Sequence, residues 1–113
     1  MKAKVNGVEG TFIVDTGASY VSLSDAFARR AQVATGQAKR IRPQTANGVR
    51  DGLLAQAQAV QVDAATASDV PVSVDSGDKA PYGAGIDGLL GQSFLSRFDV
   101  SFTPTRWSIA RRS

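Results

Sequence analysis

The sequence FIVDTGASYVSLS, residues 12–24, places a carboxylate between two apolar runs. The first run, Phe12–Val14, is typical of a buried strand, and strand-like residues resume at Tyr20. Asp15 follows the first run directly, and the Thr-Gly after it favours a tight turn. Two interpretations stay open on these residues alone. The turn is an ordinary one whose aspartate bonds its own backbone, or the carboxylate is held there for chemistry.

The length of 113 residues fits one compact domain, so we expect residues 1–113 to form a single domain. The N-terminal segment lacks the apolar region of a signal peptide, and no apolar run reaches the roughly 18 residues of a membrane-spanning helix. Because the chain begins almost within a strand pattern, we expect a domain excised from a longer chain. Any membrane anchor would then lie outside this segment.

The sequence contains no cysteine and no histidine. This composition excludes disulfides, thiolate catalysis and Ser-His-Asp nucleophiles within the chain, and also cysteine or histidine metal sites. Acid–base chemistry would have to use carboxylates, lysines, tyrosines or water. We therefore expect neither a metal nor a cofactor.

The charge balance is mildly basic, with a net charge of +3 from 13 basic and 10 acidic residues. A basic balance can indicate a nucleic-acid binder. Here the basic residues are spread along the chain, few aromatic residues lie among them, and no helix-turn-helix or ribonucleoprotein motif is present. We therefore expect a solvated basic surface and no nucleic-acid partner.

Strand patterns dominate the first third of the chain. Asn6-Gly7 predicts a hairpin turn between two short strands, the second of which leads to Asp15. Ser24 can cap a short helix that we expect to end before Gly36.

A second hairpin is predicted about Asn47-Gly48, before the stretch LLAQAQAVQV at residues 53–62. Alanine and glutamine leave a helix open for this stretch, but the turn and the valine spacing favour a strand. One face of that strand would carry Leu54, Gln56, Gln58, Val60 and Val62. A strand at Val70–Val74, a loop, a short helix from Ser93 and two strands about a Thr-Pro-Thr turn complete an all-β pattern.

Two segments resemble those of a known family. FIVDTGAS is similar to the active-site segment of retropepsin-like aspartic proteases, and IDGLLGQSFLSRF resembles their second signature. The resemblance covers nearly the whole chain and is greatest to the bacterial subgroup, often anchored to the inner membrane with the domain in the periplasm. It implies half of a closed acid-protease barrel with a flap hairpin and one or two short helices. The resemblance also implies a location on the periplasmic face of a bacterial inner membrane or, failing that, in the cytoplasm.

The resemblance also implies roles for individual residues. Asp15 would be the catalytic carboxylate, Thr16 would interlock with a second copy, and Gly17 would offer its carbonyl to the substrate backbone. Leu90 and Gly91 would support the catalytic loop. The substrate-binding residues would be Ala18 and Ser19 beside the loop, Ala46, Asn47, Gly48 and Val49 in the flap, and Asp87 and Leu89 before the second signature.

A chain with one Asp-Thr-Gly holds half of such a site. The resemblance therefore implies a homodimer that cleaves a peptide or protein, with two Asp15 carboxylates sharing one proton. Retroviral members pair an acid and an arginine where this chain has Ser19 and Gln92, so a hydrogen bond at most would replace that ion pair. The weakened dimer contacts leave an alternative open, a retropepsin-like module that binds peptide or dimerises without cleaving.

Overall fold

The computed structural model describes residues 1–35, 39–42, 44–45, 48–49, 51–75, 81–102 and 107–111. The helices among these residues are α1 (Asp25–Arg30) and α2 (Gln92–Leu95). The strands are β1 (Lys2–Val5), β2 (Val8–Val14), β3 (Val21–Leu23), β4 (Lys39–Ile41), β5 (Gln44–Thr45), β6 (Gly48–Val49), β7 (Gly52–Val62), β8 (Ala65–Asp75), β9 (Gly88–Leu90), β10 (Phe98–Phe102) and β11 (Trp107–Arg111). The predicted all-β class with two short helices is confirmed. Neither helix is long and apolar enough to cross a membrane.

Six strands close into a barrel in the order β1, β2, β9, β3, β8, β7 and back to β1, while β4 extends the sheet beside β7. Closure satisfies strand edges that would otherwise be open to other chains. The interior is apolar and includes four fully buried phenylalanines, which are Phe12, Phe27, Phe94 and Phe98. Phe12 and Phe27 meet edge to face at 5.5 Å and join β2 to α1.

The first hairpin forms as predicted, with its turn at Asn6 and Gly7, both at positive φ. The Asn6 side chain also reaches beyond its own turn. Its Oδ1 accepts from the backbone N–H groups of Gln58 at 2.8 Å and Ala59 at 3.1 Å, and its Nδ2 donates to the carbonyl of Ala31 at 3.0 Å. The turn between β1 and β2 is therefore bonded both to β7 and to the end of α1.

The stretch at residues 53–62 is a strand, so the helix alternative is wrong. The predicted division of its faces is also wrong in one respect. Ala57 is buried like Val60 and Val62, although simple alternation would put it on the opposite face. The ladder with β8 omits the pair Gln58–Asp69, and Asp69 has a φ of 54°. This local distortion shifts the inward-facing set by one residue, a change that no period-two pattern predicts.

Helix α1 begins at the predicted cap, where the Ser24 hydroxyl accepts from the Phe27 N–H. It ends at Arg30, before Gly36 as predicted. Gln32 takes the left-handed conformation, with φ of 56°, and donates to the Arg29 carbonyl, while Val33 donates to the Ala28 carbonyl. These two bonds form the Schellman termination that glycine usually provides.

Two small hairpins lie outside the barrel ladder. In the first, β5 pairs with β6 through Thr45 opposite Gly48, so the predicted second hairpin is confirmed. Gly48 lies in a strand rather than at the turn, and the connecting residues Ala46 and Asn47 lie outside the described part of the chain. In the second, β10 pairs with β11 from Phe98 opposite Arg111 to Phe102 opposite Trp107. The predicted Thr-Pro-Thr turn also falls outside the described residues.

Candidate active site

Asp15 lies immediately after β2, at a place where three short strands meet. Strand β9 runs parallel to β2 and antiparallel to β3, so it is inserted between the two strands that the Asp15 loop connects. A loop that joins two strands with a third between them must bridge a wide gap. The two ends of the loop are therefore separated by β9, and the loop packs over the end of this strand.

The Asp15 residue is fixed by its own loop and by β9. Its backbone N–H donates to the Leu90 carbonyl at 3.0 Å, and its carbonyl accepts from Ala18 N–H at 3.1 Å. Its carboxylate Oδ1 accepts from the Gly17 N–H at 3.0 Å. Asp15 is 8% exposed, whereas Thr16 and Gly17 are exposed. The carboxylate is thus held at the surface end of a buried strand, beside a loop tip that another molecule can reach.

Gly91 permits the close approach of β9 to this loop. A Cβ at Gly91 would lie 2.1 Å from the Tyr20 carbonyl oxygen and 2.8 Å from that of Ala18. Both distances are shorter than any ordinary contact between a methyl group and a carbonyl. Gly91 in the second signature is therefore required because the backbone of the Asp15 loop leaves no room for a side chain.

Leu89 and Leu90 face opposite sides of β9. Leu90 is fully buried and belongs to the core cluster, whereas Leu89 is buried without joining it. The register pairs Leu89 with Ile13, which is 45% exposed and one of the few large apolar side chains on the described surface. Ile13 was not singled out from the sequence, because an isoleucine in a strand gives no sign of which face it occupies.

The start of α2 contacts the same loop from the other side. The N–H groups of Gln92 and Ser93 donate to the carbonyls of Ala18 and Ser19 at 2.8 and 3.0 Å. The Ser93 hydroxyl accepts from Val21 N–H at 2.8 Å. The Gln92 side chain bonds the Thr16 carbonyl at 3.0 Å rather than the Ser19 side chain. The described contacts therefore give no support to a side-chain hydrogen bond between Ser19 and Gln92, and the Gln92 amide bonds the loop backbone instead.

Asp87 is engaged within the chain. Its Oδ2 accepts from Thr11 N–H at 2.8 Å, and its Oδ1 lies 3.2 Å from the Arg30 guanidinium. Its backbone N–H donates to the Thr11 carbonyl, and its carbonyl accepts from Ser24 N–H. These contacts fix the residue before β9 between β2 and the start of α1. They provide no direct support for the substrate contact predicted for Asp87, which stays a prediction.

The hairpin predicted to be the flap is described only as the backbone pairing of β5 with β6, which includes Gly48 and Val49. A cavity of about 590 Å³ lies at its base. The described residues that line it are Arg40, Ile41, Arg42, Asp51, Gly52 and Leu53. Arg42 and Asp51 form an exposed ion pair at 3.1 Å across this base. The alternating arginines of KRIR gave no specific signal of a cavity in the sequence.

The comparisons with known proteins agree with this geometry. Residues 1–97 match the family described as "gag-polyprotein putative aspartyl protease". Among solved structures, the chain is similar to the crystal structure of a retropepsin-like aspartic protease from Rickettsia conorii, with a TM-score of 0.71 and 24% identity. That match covers 98% of this chain and 79% of the other, and at this identity it shows the fold alone. No curated protein matches the chain.

Proposed function

Since the chain belongs to the gag-polyprotein aspartyl protease family, within the retropepsin-like fold, we propose that it is an endopeptidase whose active site is shared by two copies. The substrate class is an extended segment of peptide or protein. The observation that carries the proposal is the Asp15 carboxylate, which is held by the Gly17 N–H at the end of a buried strand beside an exposed loop tip.

The chemistry follows from bringing two Asp15 carboxylates together. Two such groups in contact cannot both ionise easily, so they hold one proton between them. The ionised carboxylate takes a proton from a water molecule as the water oxygen attacks the scissile carbonyl carbon. The protonated one donates to the carbonyl oxygen, and the tetrahedral intermediate then loses the amine, which leaves with a proton. Acidic pH is expected to favour cleavage because one carboxyl group must stay protonated.

The loop tip suits contact with a second copy. Thr16 and Gly17 are exposed while Asp15 is almost buried, so a partner can touch the tip without unfolding the strand beneath it. In the proposed dimer each Thr16 hydroxyl bonds to the opposite loop, and each Gly17 carbonyl faces substrate backbone. Ala18 and Ser19 continue the substrate-facing edge.

The apolar wall of the proposed cleft comes from the outward side of β2 and β9. Ile13 and Leu89 are neighbours in the parallel register and lie on the face opposite Phe12 and Leu90, which enter the core. An apolar substrate side chain placed there would cover Ile13. Residues 46–49 of the hairpin would close over the peptide and pair with its backbone, as in strand addition.

The dimer interface is proposed to differ from one that shares strands from both ends of the chain. β1 is already paired with β2 on one side and with β7 on the other, and Phe12 N–H donates to the Met1 carbonyl. Among the described strands, β10 and β11 pair only with each other. These two strands therefore offer the backbone edges that a second copy could extend into a shared sheet.

The direct test is Asp15→Asn, which keeps the side-chain shape and removes the ionisable carboxyl group. We expect cleavage of a peptide library to fall by about a thousandfold or more, because no shared proton remains. Asp63→Asn is the matched control, since Asp63 is exposed and its φ of 51° suits asparagine. Equal cleavage by wild type and Asp15→Asn would exclude the proposed site. Peptide binding without cleavage by the wild type would favour the binding-module alternative.

A further inference from the structure

Gln92 contacts the catalytic loop at one particular peptide group. Its side-chain Nε2 donates to the Thr16 carbonyl at 3.0 Å. The same peptide group carries the Gly17 N–H, which donates to Asp15 Oδ1 at 3.0 Å. The carbonyl and the N–H of one planar peptide point in opposite directions. The Gln92 amide, the Thr16–Gly17 peptide and the Asp15 carboxylate therefore form a continuous chain of two hydrogen bonds.

We propose that Gln92 is a positioning residue that orients and polarises the donor of the catalytic carboxylate through this peptide. The inference rests on the proposed function, which makes Asp15 the reacting group. Fixing the carbonyl end fixes the plane of the peptide, and so fixes the direction of the Gly17 N–H. A donor on the carbonyl also strengthens the N–H bond at the other end, because linked hydrogen bonds polarise one another.

The backbone of Gln92 is itself bonded to the loop, and this bond fixes the position from which the side chain reaches Thr16. Its own N–H donates to the Ala18 carbonyl at 2.8 Å, so Gln92 bonds the loop on both sides of Gly17. The close approach at Gly91 holds this residue next to the loop. Gln92 therefore acts from a fixed backbone, and only its side-chain torsions must be ordered.

The contact carries no formal charge. The titratable side chains of the two joined segments are Asp15 and Tyr20 in the loop and Arg97 after α2. Gln92 itself keeps the same charge at every pH. Its support of the loop is therefore constant across the pH range in which the two Asp15 groups exchange protons. An acid–arginine pair in the same place would add a second charged group to that titration.

Two substitutions of Gln92 test this role because they should act in opposite directions. Gln92→Leu removes the donor at similar volume, and we expect kcat to fall about three- to tenfold with little change in KM. In a plot of kcat against pH, the acidic limb should move to higher pH. A weaker Gly17 N–H bond stabilises the ionised carboxylate less. Gln92→Lys keeps a donor and adds positive charge, so it should retain most of the rate and move the limb to lower pH.

Gln61→Leu is the matched control. Gln61 makes the same kind of contact, an Nε2 donation to the Asp63 carbonyl at 3.1 Å, at the turn between β7 and β8. The Gln61→Leu variant should have the same kcat and the same acidic limb as the wild type. A purely structural role for Gln92 would change the unfolding temperature and would not move the acidic limb in opposite directions for leucine and lysine.

A second measurement keeps this inference separate from the protease proposal. The Gly17 amide proton resonance in nuclear magnetic resonance spectra reports its hydrogen bond whether or not the protein cleaves peptides. We expect it to move upfield in Gln92→Leu and to stay in place in Gln61→Leu. An unchanged Gly17 resonance in folded Gln92→Leu, or limb shifts of the same sign for leucine and lysine, would overturn the role of Gln92. A wild type without cleavage would overturn the protease proposal while leaving the resonance test valid.

Discussion

At Gly91 the end of β9 and the loop that carries Asp15 approach so closely that no side chain fits between them. The atoms that a Cβ would meet belong to the backbone at Tyr20 and Ala18, so no rotation of a side chain can relieve the contact. The loop or the strand would have to move. Because Asp15 N–H bonds the carbonyl next to Gly91, any such movement also displaces the carboxylate.

We therefore expect Gly91→Ala to lower the free energy of unfolding by about 3 kcal/mol or more. Any folded fraction should have lost most of its activity. Gly83→Ala is the matched control, since Gly83 has open space around it and a φ of 106°. That variant should lose only about 1 kcal/mol, from the left-handed backbone. Urea denaturation of both proteins measures the difference, and equal losses would refute the close approach at Gly91.

Residue identity predicted some parts of the site and not others. Asp15 and Gly91 were identified from two short motifs whose residue types are chemically constrained. Gln92 was considered only as the replacement of an arginine, and Ile13 was not assigned a role, because an isoleucine in a strand is compatible with many structures. Asp87 was predicted from its proximity to the second signature. Its bonds to Thr11 and Arg30 depend on residues distant in sequence, which no local pattern reveals.

At the scale of elements, the turn between β1 and β2 stabilises a strand that it does not belong to. Gln58 and Ala59 lie where the β7–β8 ladder is interrupted, because the register omits the pair Gln58–Asp69. The Asn6 side chain accepts from both N–H groups. A hairpin turn thus satisfies the backbone of the distorted region in β7.

Asn6→Gly tests this link without adding backbone strain, because glycine tolerates the positive φ at this position. It removes three side-chain hydrogen bonds and leaves backbone donors at β7 without their acceptor. We expect the free energy of unfolding to fall by about 2 kcal/mol. Hydrogen exchange at the Gln58 amide should accelerate more than exchange in β2. A stability within experimental error of the wild type would show that water replaces Asn6 at no cost.

Elements were predictable where a local rule governs them. The Asn-Gly turn and the Ser24 cap follow from short-range chemistry, and both are present. The inward shift near Gln58 and the left-handed conformation of Gln32 after α1 were missed. The first lies where β7 bonds Asn6, which is more than fifty positions away in the chain. The second uses glutamine in a left-handed conformation that glycine adopts more readily.

On the scale of the whole molecule, the barrel brings the two motifs together by inserting a three-residue strand, β9, between β2 and β3. A strand this short has no measurable periodicity, so it was not predicted from the sequence, although its residues belong to the second signature. The result is one carboxylate on an exposed loop, with a neutral hydrogen-bond network behind it. In the proposed dimer, two such halves would share one proton.

The most direct test of a shared site is to mix wild type with Asp15→Asn at constant total chain concentration and allow subunits to exchange. If one Asp15 from each copy is required, only wild-type homodimers cleave, and activity falls as the square of the wild-type fraction. At equal amounts the mixture should then retain about one quarter of the wild-type activity. A linear fall to about one half would show that each chain acts alone, and would contradict the shared active site.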